Sequence, residues 1–146
     1  MMDEFCAEIE ADPEYNKKLY WLSGISDEFL DRLYEETSAL IAASEGEGFG
    51  LPLVEAALHK SHLIARDIPV FREVAGDGAF YFKGRTPVDI SVELQEWVKL
   101  HAKGRSPHPR NTTTITWQKS TEILLDKIFS SKPYQVISPN KKEKTS

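Results

Sequence analysis

The sequence predicts an α/β protein, a parallel sheet of about four strands flanked by helices. Short apolar runs at 19–22, 39–43, 63–65 and 79–82 have the length of buried strands. The stretches between and after them carry apolar residues at helical spacing. Turn and capping residues fall at the joins. Strands that alternate with helices pair in parallel, because each crossover brings the chain back in the same direction.

The elements follow in order. Residues 3–11 suit a helix with Phe5, Cys6 and Ile9 on one face, ended by Pro13. Leu19, Tyr20, Trp21 and Leu22 read as a short buried strand, and Ser23, Gly24 and Ile25 as a turn. Ser26 is an N-cap residue, with Asp27 and Glu28 in the first turn, where negative charge is favoured. The helix from 27 to about 37 is expected to bury Phe29, Leu30, Leu33 and Tyr34. A strand at 39–43 leads into a glycine-rich loop, and a helix at 51–59 leads out of it. A third strand at 63–65 precedes a loop at 67–70 and a single turn at 71–75. Gly76, Asp77 and Gly78 turn the chain into a fourth strand at 79–82. Thr86 caps a helix that has Pro87 in its first turn and runs to about His101, with Ile90, Leu94, Trp97 and Val98 inward. Residues 102–113 are a polar loop, and 116–129 a helix with Trp117, Thr121, Leu124, Leu125 and Ile128 on one stripe. The organisation expected is one domain over 1–130 and a disordered, lysine-containing tail over 131–146.

Composition excludes several classes of function. The chain of 146 residues has 23 acidic and 18 basic side chains, a net charge of −5 and no basic stripe, so no nucleic-acid partner is expected. Cys6 is the single cysteine, which rules out an internal disulfide and suits a reducing compartment. No charged-then-apolar leader follows Met1, and no apolar run approaches the ~20 residues of a membrane helix. The expected location is cytoplasmic, or peripheral at the inner face of the membrane if the partner is lipid-linked.

The most informative stretch is the loop Glu45-Gly46-Glu47-Gly48-Phe49-Gly50 and the helix start Leu51-Pro52-Leu53-Val54-Glu55. Pro52 suits a first helical turn, and glycines let the backbone approach a ligand. Open amide groups and the dipole of a helix start make a seat for phosphate. Glu47 and Glu55 frame that seat, and carboxylates accept hydrogen bonds from sugar hydroxyls. A ligand with sugar, diphosphate and ribose in line satisfies all three features. The competing reading is a loop that merely turns the chain.

Glu47 and Glu55, separated by seven residues that include Gly48-Phe49-Gly50-Leu51-Pro52, resemble the E-x7-E signature of retaining GT-B glycosyltransferases. Ala43-Ser44 before the loop and Arg66-Asp67-Ile68-Pro69-Val70-Phe71-Arg72-Glu73-Val74 after it extend the resemblance, which covers roughly 3–129. It is nearest to bacterial mannosyltransferases of O-antigen and related polysaccharides. It implies a partial Rossmann-like sheet from the second half of a GT-B fold, which holds the nucleotide sugar. It also implies that Glu47 orients the donor sugar and acts in catalysis. The backbone of Gly48, Phe49, Gly50 and Leu51 would hold sugar and diphosphate, and Glu55 the ribose. The donor favoured is GDP-mannose, with no cofactor and no metal. The acceptor is a glycan or lipid-linked glycan, bound through an N-terminal domain expected to be missing.

The resemblance further implies that the first two strands of this domain are absent, together with the Arg and Lys that clamp the diphosphate. In the strand order 3-2-1-4-5-6 they would lie between the strand at 19–22 and the strand at 39–43. Three outcomes are expected: the first strand slides over to pair with the second, a second chain fills the gap or self-association covers it, or the domain is marginally stable. Function then stays open between a donor-binding domain of a hexosyltransferase, an inactive truncated nucleotide-binding module and one subunit of a split enzyme.

Other residues have plainer readings. His59, His62, His101 and His108 lack metal-ligand spacing, and His59 and His62 suit the exposed end of the signature helix. Arg66 and Arg72 are expected to be solvated or paired with Asp67 and Glu73, although either has the reach for an anion. Trp21, Trp97 and Trp117 are expected in the core. Ser23, Gly24 and Ile25 would touch the nucleotide base through backbone groups if the resemblance holds there. Asn111-Thr112-Thr113 matches a glycosylation acceptor by chance, and Lys141, Lys142 and Lys144 read as solvated.

Overall fold

The computed structural model describes residues 2–109 and 117–129. The chain forms α1 (Met2–Ala11), α2 (Asp27–Glu36), β1 (Ala39–Ala42), α3 (Leu51–Leu58), β2 (His62–Arg66), α4 (Pro69–Ala75), a 3₁₀ turn (Gly76–Gly78), β3 (Ala79–Phe82), α5 (Pro87–Ala102) and α6 (Trp117–Phe129). The three strands make one parallel sheet in the order β1-β2-β3. Leu40 lies opposite Leu63 and Ile64 opposite Phe80, so each strand is displaced from the next by a single helical crossover.

Alternation along the strands divides the core in two. Leu63 and Ala65 of β2 face one side, where they join Tyr34 of α2, Leu53 and Ala56 of α3, and Phe71 and Val74 of α4. Ile64 and Phe82 face the other side, where they meet Trp97, with Ile90 and Leu94 beside it. The centre is β2, whose Leu63, Ile64 and Ala65 are all buried, as a strand covered on both faces must be.

Local chemistry places the ends. Ser26 accepts a hydrogen bond from the Phe29 amide, and Thr86 one from the Asp89 amide, as the capping residues predict. After α3 the chain reverses through Lys60 in the left-handed conformation, with the Ser61 amide bonded to the Ala56 carbonyl at 3.0 Å. Gly104 performs the same reversal after α5, where the Arg105 amide bonds to the Leu100 carbonyl at 2.9 Å.

Several expectations are corrected. Residues 19–22 are not a buried strand: a single bridge joins Tyr15 to Leu19, and Tyr20, Trp21 and Leu22 are exposed, Trp21 at 46%. No described strand lies beside this segment to complete a ladder. Trp21 instead meets the edge of Phe5 at 5.9 Å, outside the core, and Tyr20 donates to the Lys17 carbonyl. Among the described residues the sheet therefore has three strands rather than about four, and β1 keeps its place at the edge with Ile41 half exposed. The first of the three expected outcomes, a strand sliding across, does not occur. Residues 69–75 form a helix rather than a loop and a turn, because Pro69 occupies its first turn and pre-sets the backbone for it. His62 begins β2 and is half-buried, since the Lys60 reversal carries it off the helix end. Phe29 and Val98 are exposed rather than inward.

Helix α6 belongs to a second unit and is described by itself. Its Leu124, Leu125 and Ile128 are exposed. The side chain of Trp117, residues 110–116 with their acceptor-like motif, and the tail from 130 onward lie outside the described residues.

Candidate nucleotide-sugar site

The site is built on the turn from β1 into α3, at the carboxyl end of the sheet, where open α/β sheets take their ligands. The loop leaves β1 at Ala43. The Ser44 hydroxyl donates to Glu47 Oε1 at 3.2 Å, which folds the loop back on itself and gives the exposed carboxylate a fixed neighbour. A side chain at Gly46 or Gly48 would meet nothing within 4 Å, so both face open space.

Gly50 is different. Its φ is 82°, in the left-handed region, and a side chain there would come 3.2 Å from two ring atoms of Phe71. The ring of Phe71, itself buried, is the floor on which the loop rests. Gly50 is also the residue before α3, and no side chain caps that helix start. Pro52 occupies the first turn as expected, and the buried Leu53 side chain anchors it to the core. The uncapped start therefore presents its amide groups and the positive end of its dipole at the loop. Phe49 and Leu51 are exposed on either side of Gly50.

Glu55 follows about one turn later, exposed on α3. Its Oε2 accepts a hydrogen bond from the Tyr34 hydroxyl at 3.3 Å. Burial, followed by the charge of Glu55, pushes the Tyr34 hydroxyl up to about 12, so it remains a donor. The Tyr34 backbone carbonyl accepts from the Ser61 hydroxyl, which fastens α2 to the far end of α3. His59 stacks on the Tyr34 ring at 5.7 Å and lies 3.3 Å from Asp31 and 3.7 Å from Glu35, so it is half-buried and engaged on α2.

Glu47, Gly48, Phe49, Gly50, Leu51 and Glu55 thus lie along one continuous turn and the helix it opens, with each carboxylate held by a different neighbour. The adjoining cleft, about 320 Å³, is walled by Glu45, Arg66, Asp67, Ile68, Lys83 and Arg85 and contains neither Glu47 nor Glu55. Within it Asp67 pairs with Arg72 at 2.7 Å and with Lys83 at 3.4 Å. The Arg72 hydrogen bond holds the Asp67 carboxyl below its ordinary range and raises Arg72 in turn. Arg72 also lies over the Tyr81 ring, 3.8 Å from its centre. The expectation for Arg72 therefore stands with Asp67 as its partner.

Arg66 departs from expectation. It does not pair with Asp67, whose carboxylate is taken by Arg72 and Lys83. Its Nε donates to the Ala43 carbonyl at 2.9 Å and its Nη1 to the Gly84 carbonyl at 3.0 Å. Carbonyl partners leave no trace in sequence, which is why residue types alone missed them. His62 is a second such case: its Nδ1 is 2.7 Å from the Pro107 carbonyl, and its ring meets those of His101 and His108. Among the described residues no group of histidine, cysteine and carboxylate side chains is arranged to hold a metal ion.

A parallel sheet whose glycine-rich turn carries two acids at this spacing defines a class of sugar-transferring proteins. The family described as glycosyl transferases group 1 matches residues 5–111, and the chain belongs to it. Over 124 residues the chain is 49% identical to the serotype-specific mannosyltransferase WbdA of Escherichia coli, covering 85% of this chain and 15% of that protein. It is 41% identical over 70 residues to the O-antigen chain mannosyltransferase RfbU of Salmonella typhimurium, covering 48% of this chain and 20% of that one. The chain therefore spans only a small part of the length of these relatives. No helix among the described residues is long and apolar enough to cross a membrane.

Proposed function

We propose that this chain is the donor-binding part of a retaining glycosyltransferase that moves mannose from GDP-mannose to a glycan or lipid-linked glycan. The observation that carries the reading is the uncapped start of α3 bracketed by Glu47 and Glu55 at the carboxyl end of β1. In this reading the diphosphate lies against the amide groups of Gly48, Phe49, Gly50 and Leu51. Glu55, steadied by Tyr34, accepts from the ribose hydroxyls, and Glu47 accepts from the sugar hydroxyls and orients the anomeric carbon. During transfer the bond from that carbon to the diphosphate oxygen breaks, and its electron pair leaves on the diphosphate. The acceptor oxygen bonds to the carbon on the same face, and its proton passes to the departing phosphate. Negative charge grows at the helix start, where fixed dipoles stabilise it. The mannose assignment is supported by the similarity to WbdA and RfbU, both mannosyltransferases by name.

Calorimetric titration of GDP, UDP and GDP-mannose into the chain tests the reading. GDP is expected to bind more tightly than UDP, and Glu55→Ala to weaken GDP binding by about 1.5–3 kcal/mol, the scale of a hydrogen bond to a charged group. Glu47→Ala is expected to weaken GDP-mannose more than GDP. An unchanged GDP affinity in Glu55→Ala would remove that residue from the site. A second reading is favoured by the open edge of β1 and the 15% span of the WbdA relatives: the polypeptide binds nucleotide and turns over only when further chain completes it.

A further inference from the structure

Arg66 ends β2, and its guanidinium bridges the ends of the two flanking strands. Nε reaches the Ala43 carbonyl, one residue past β1, and Nη1 reaches the Gly84 carbonyl, two residues past β3. The group also lies 5.1 Å from the centre of the Phe82 ring. The adjacent carboxylate of Asp67 is taken by Arg72 and Lys83, which leaves Arg66 committed to the two carbonyls. An arginine offers its donors in a rigid fork, so this bridge is directional.

Both anchors are themselves held. Glu93 of α5 accepts from the Lys83 amide at 3.1 Å and the Gly84 amide at 2.9 Å, one oxygen to each. A side chain at Gly84 would fall 2.7 Å from the Asp89 Cβ and 2.9 Å from the Ile90 backbone nitrogen, so only glycine lets the chain lie this close to α5. At the other end, the residue after Ala43 is Ser44, whose hydroxyl holds Glu47 at 3.2 Å. Hydrogen bonds therefore run from Glu93 on α5, through Gly84 and Arg66, to the backbone from which Glu47 is set.

We propose that Arg66, braced by Glu93 through Gly84, is a positioning residue that fixes the loop carrying Glu47. The proposal rests on the reading of Glu47 as the sugar-facing carboxylate. It makes α5, remote in sequence, part of the machinery that orients the donor sugar.

The test is the backbone order parameters from NMR relaxation of the ligand-free chain, followed by titration of GDP and GDP-mannose. Arg66→Gln keeps a polar stem but cannot span both carbonyls. It is expected to lower the order parameters of residues 44–50 towards the flexible range, below about 0.6, while residues 63–65 of β2 stay near the rigid value of about 0.85, because only the loop is released. Arg66→Lys, which reaches one carbonyl at a time, is expected to recover part of the order. Glu93→Gln, which loses one of its two acceptors, is expected to shift the loop in the same direction by less. GDP-mannose is expected to lose its advantage over GDP in Arg66→Gln. Unchanged loop order parameters, or loop and β2 loosening together, overturn the proposal, the latter because Arg66 would then only hold the sheet. If the unaltered chain binds GDP and GDP-mannose equally, the sugar-facing role of Glu47 fails, and the relaxation comparison still decides whether Arg66 sets the loop.

Discussion

Tyr34 connects the core to the site, with a buried ring and a hydroxyl that ends on an exposed carboxylate. Tyr34→Phe removes that bond and is expected to cost about 0.5–1.5 kcal/mol, read as a lower midpoint in urea. Burial of the hydroxyl, followed by the charge of Glu55, also gives it a pH signature. The hydroxyl sits at about 12 in the folded chain, above the ordinary tyrosine value of roughly 10. The raised value contributes stability that is fully present below about 10 and is lost as pH climbs towards about 12. Thermal midpoints taken through that window are expected to fall more steeply for the unaltered chain than for Tyr34→Phe. Parallel slopes would mean that the hydroxyl ionises alike in both states.

At the scale of elements, the turn from β1 into α3 depends on what lies beneath it. Gly50→Ala would place a methyl group against Phe71 and force a left-handed conformation, an expected cost of about 1–2 kcal/mol. Phe71→Ala would remove the floor and leave a cavity, at about 3–5 kcal/mol. Denaturant unfolding of the two variants checks the order: the cavity should be the costlier change. These supports show which elements the sequence made legible. Thr86 and Pro87 announced α5, and Ser26 announced α2, because caps act within a few residues of themselves. Glu47, Gly48 and Glu55 were legible as a pattern for the same reason. The helix at α4 was hidden because Pro69 follows an Asp-Ile pair that also suits a loop. The Arg66 bridge was hidden because it joins residues 23 and 18 positions away through backbone oxygens.

At the scale of the whole molecule, the sheet has an open side among the described residues. The groove beside β1, about 420 Å³, is walled by Ala39, Ile41, Ile64, Leu94, Trp97 and their neighbours and is mostly apolar. An unpaired edge with half-exposed Ile41 is a template for another strand. The chain is therefore expected to self-associate as concentration rises, and Ile41→Lys to suppress this with little effect on the midpoint in urea. Sedimentation velocity over a concentration series checks it, and a monomer at every concentration would refute it. The same edge explains why the segment 19–22 misled: its apolar residues describe a strand, but strand identity belongs to a pair, and no described strand lies beside it.

The loop that rests on Phe71 has two unequal sides. Downward it is locked, while upward a Cβ added at Gly46 or Gly48 would meet nothing within 4 Å. Sequence diversity introduced at those two positions can reshape what the loop greets without disturbing the scaffold that carries it. A library randomised there, with Gly50 and Phe71 left alone, is the economical starting point for redirecting the choice of sugar.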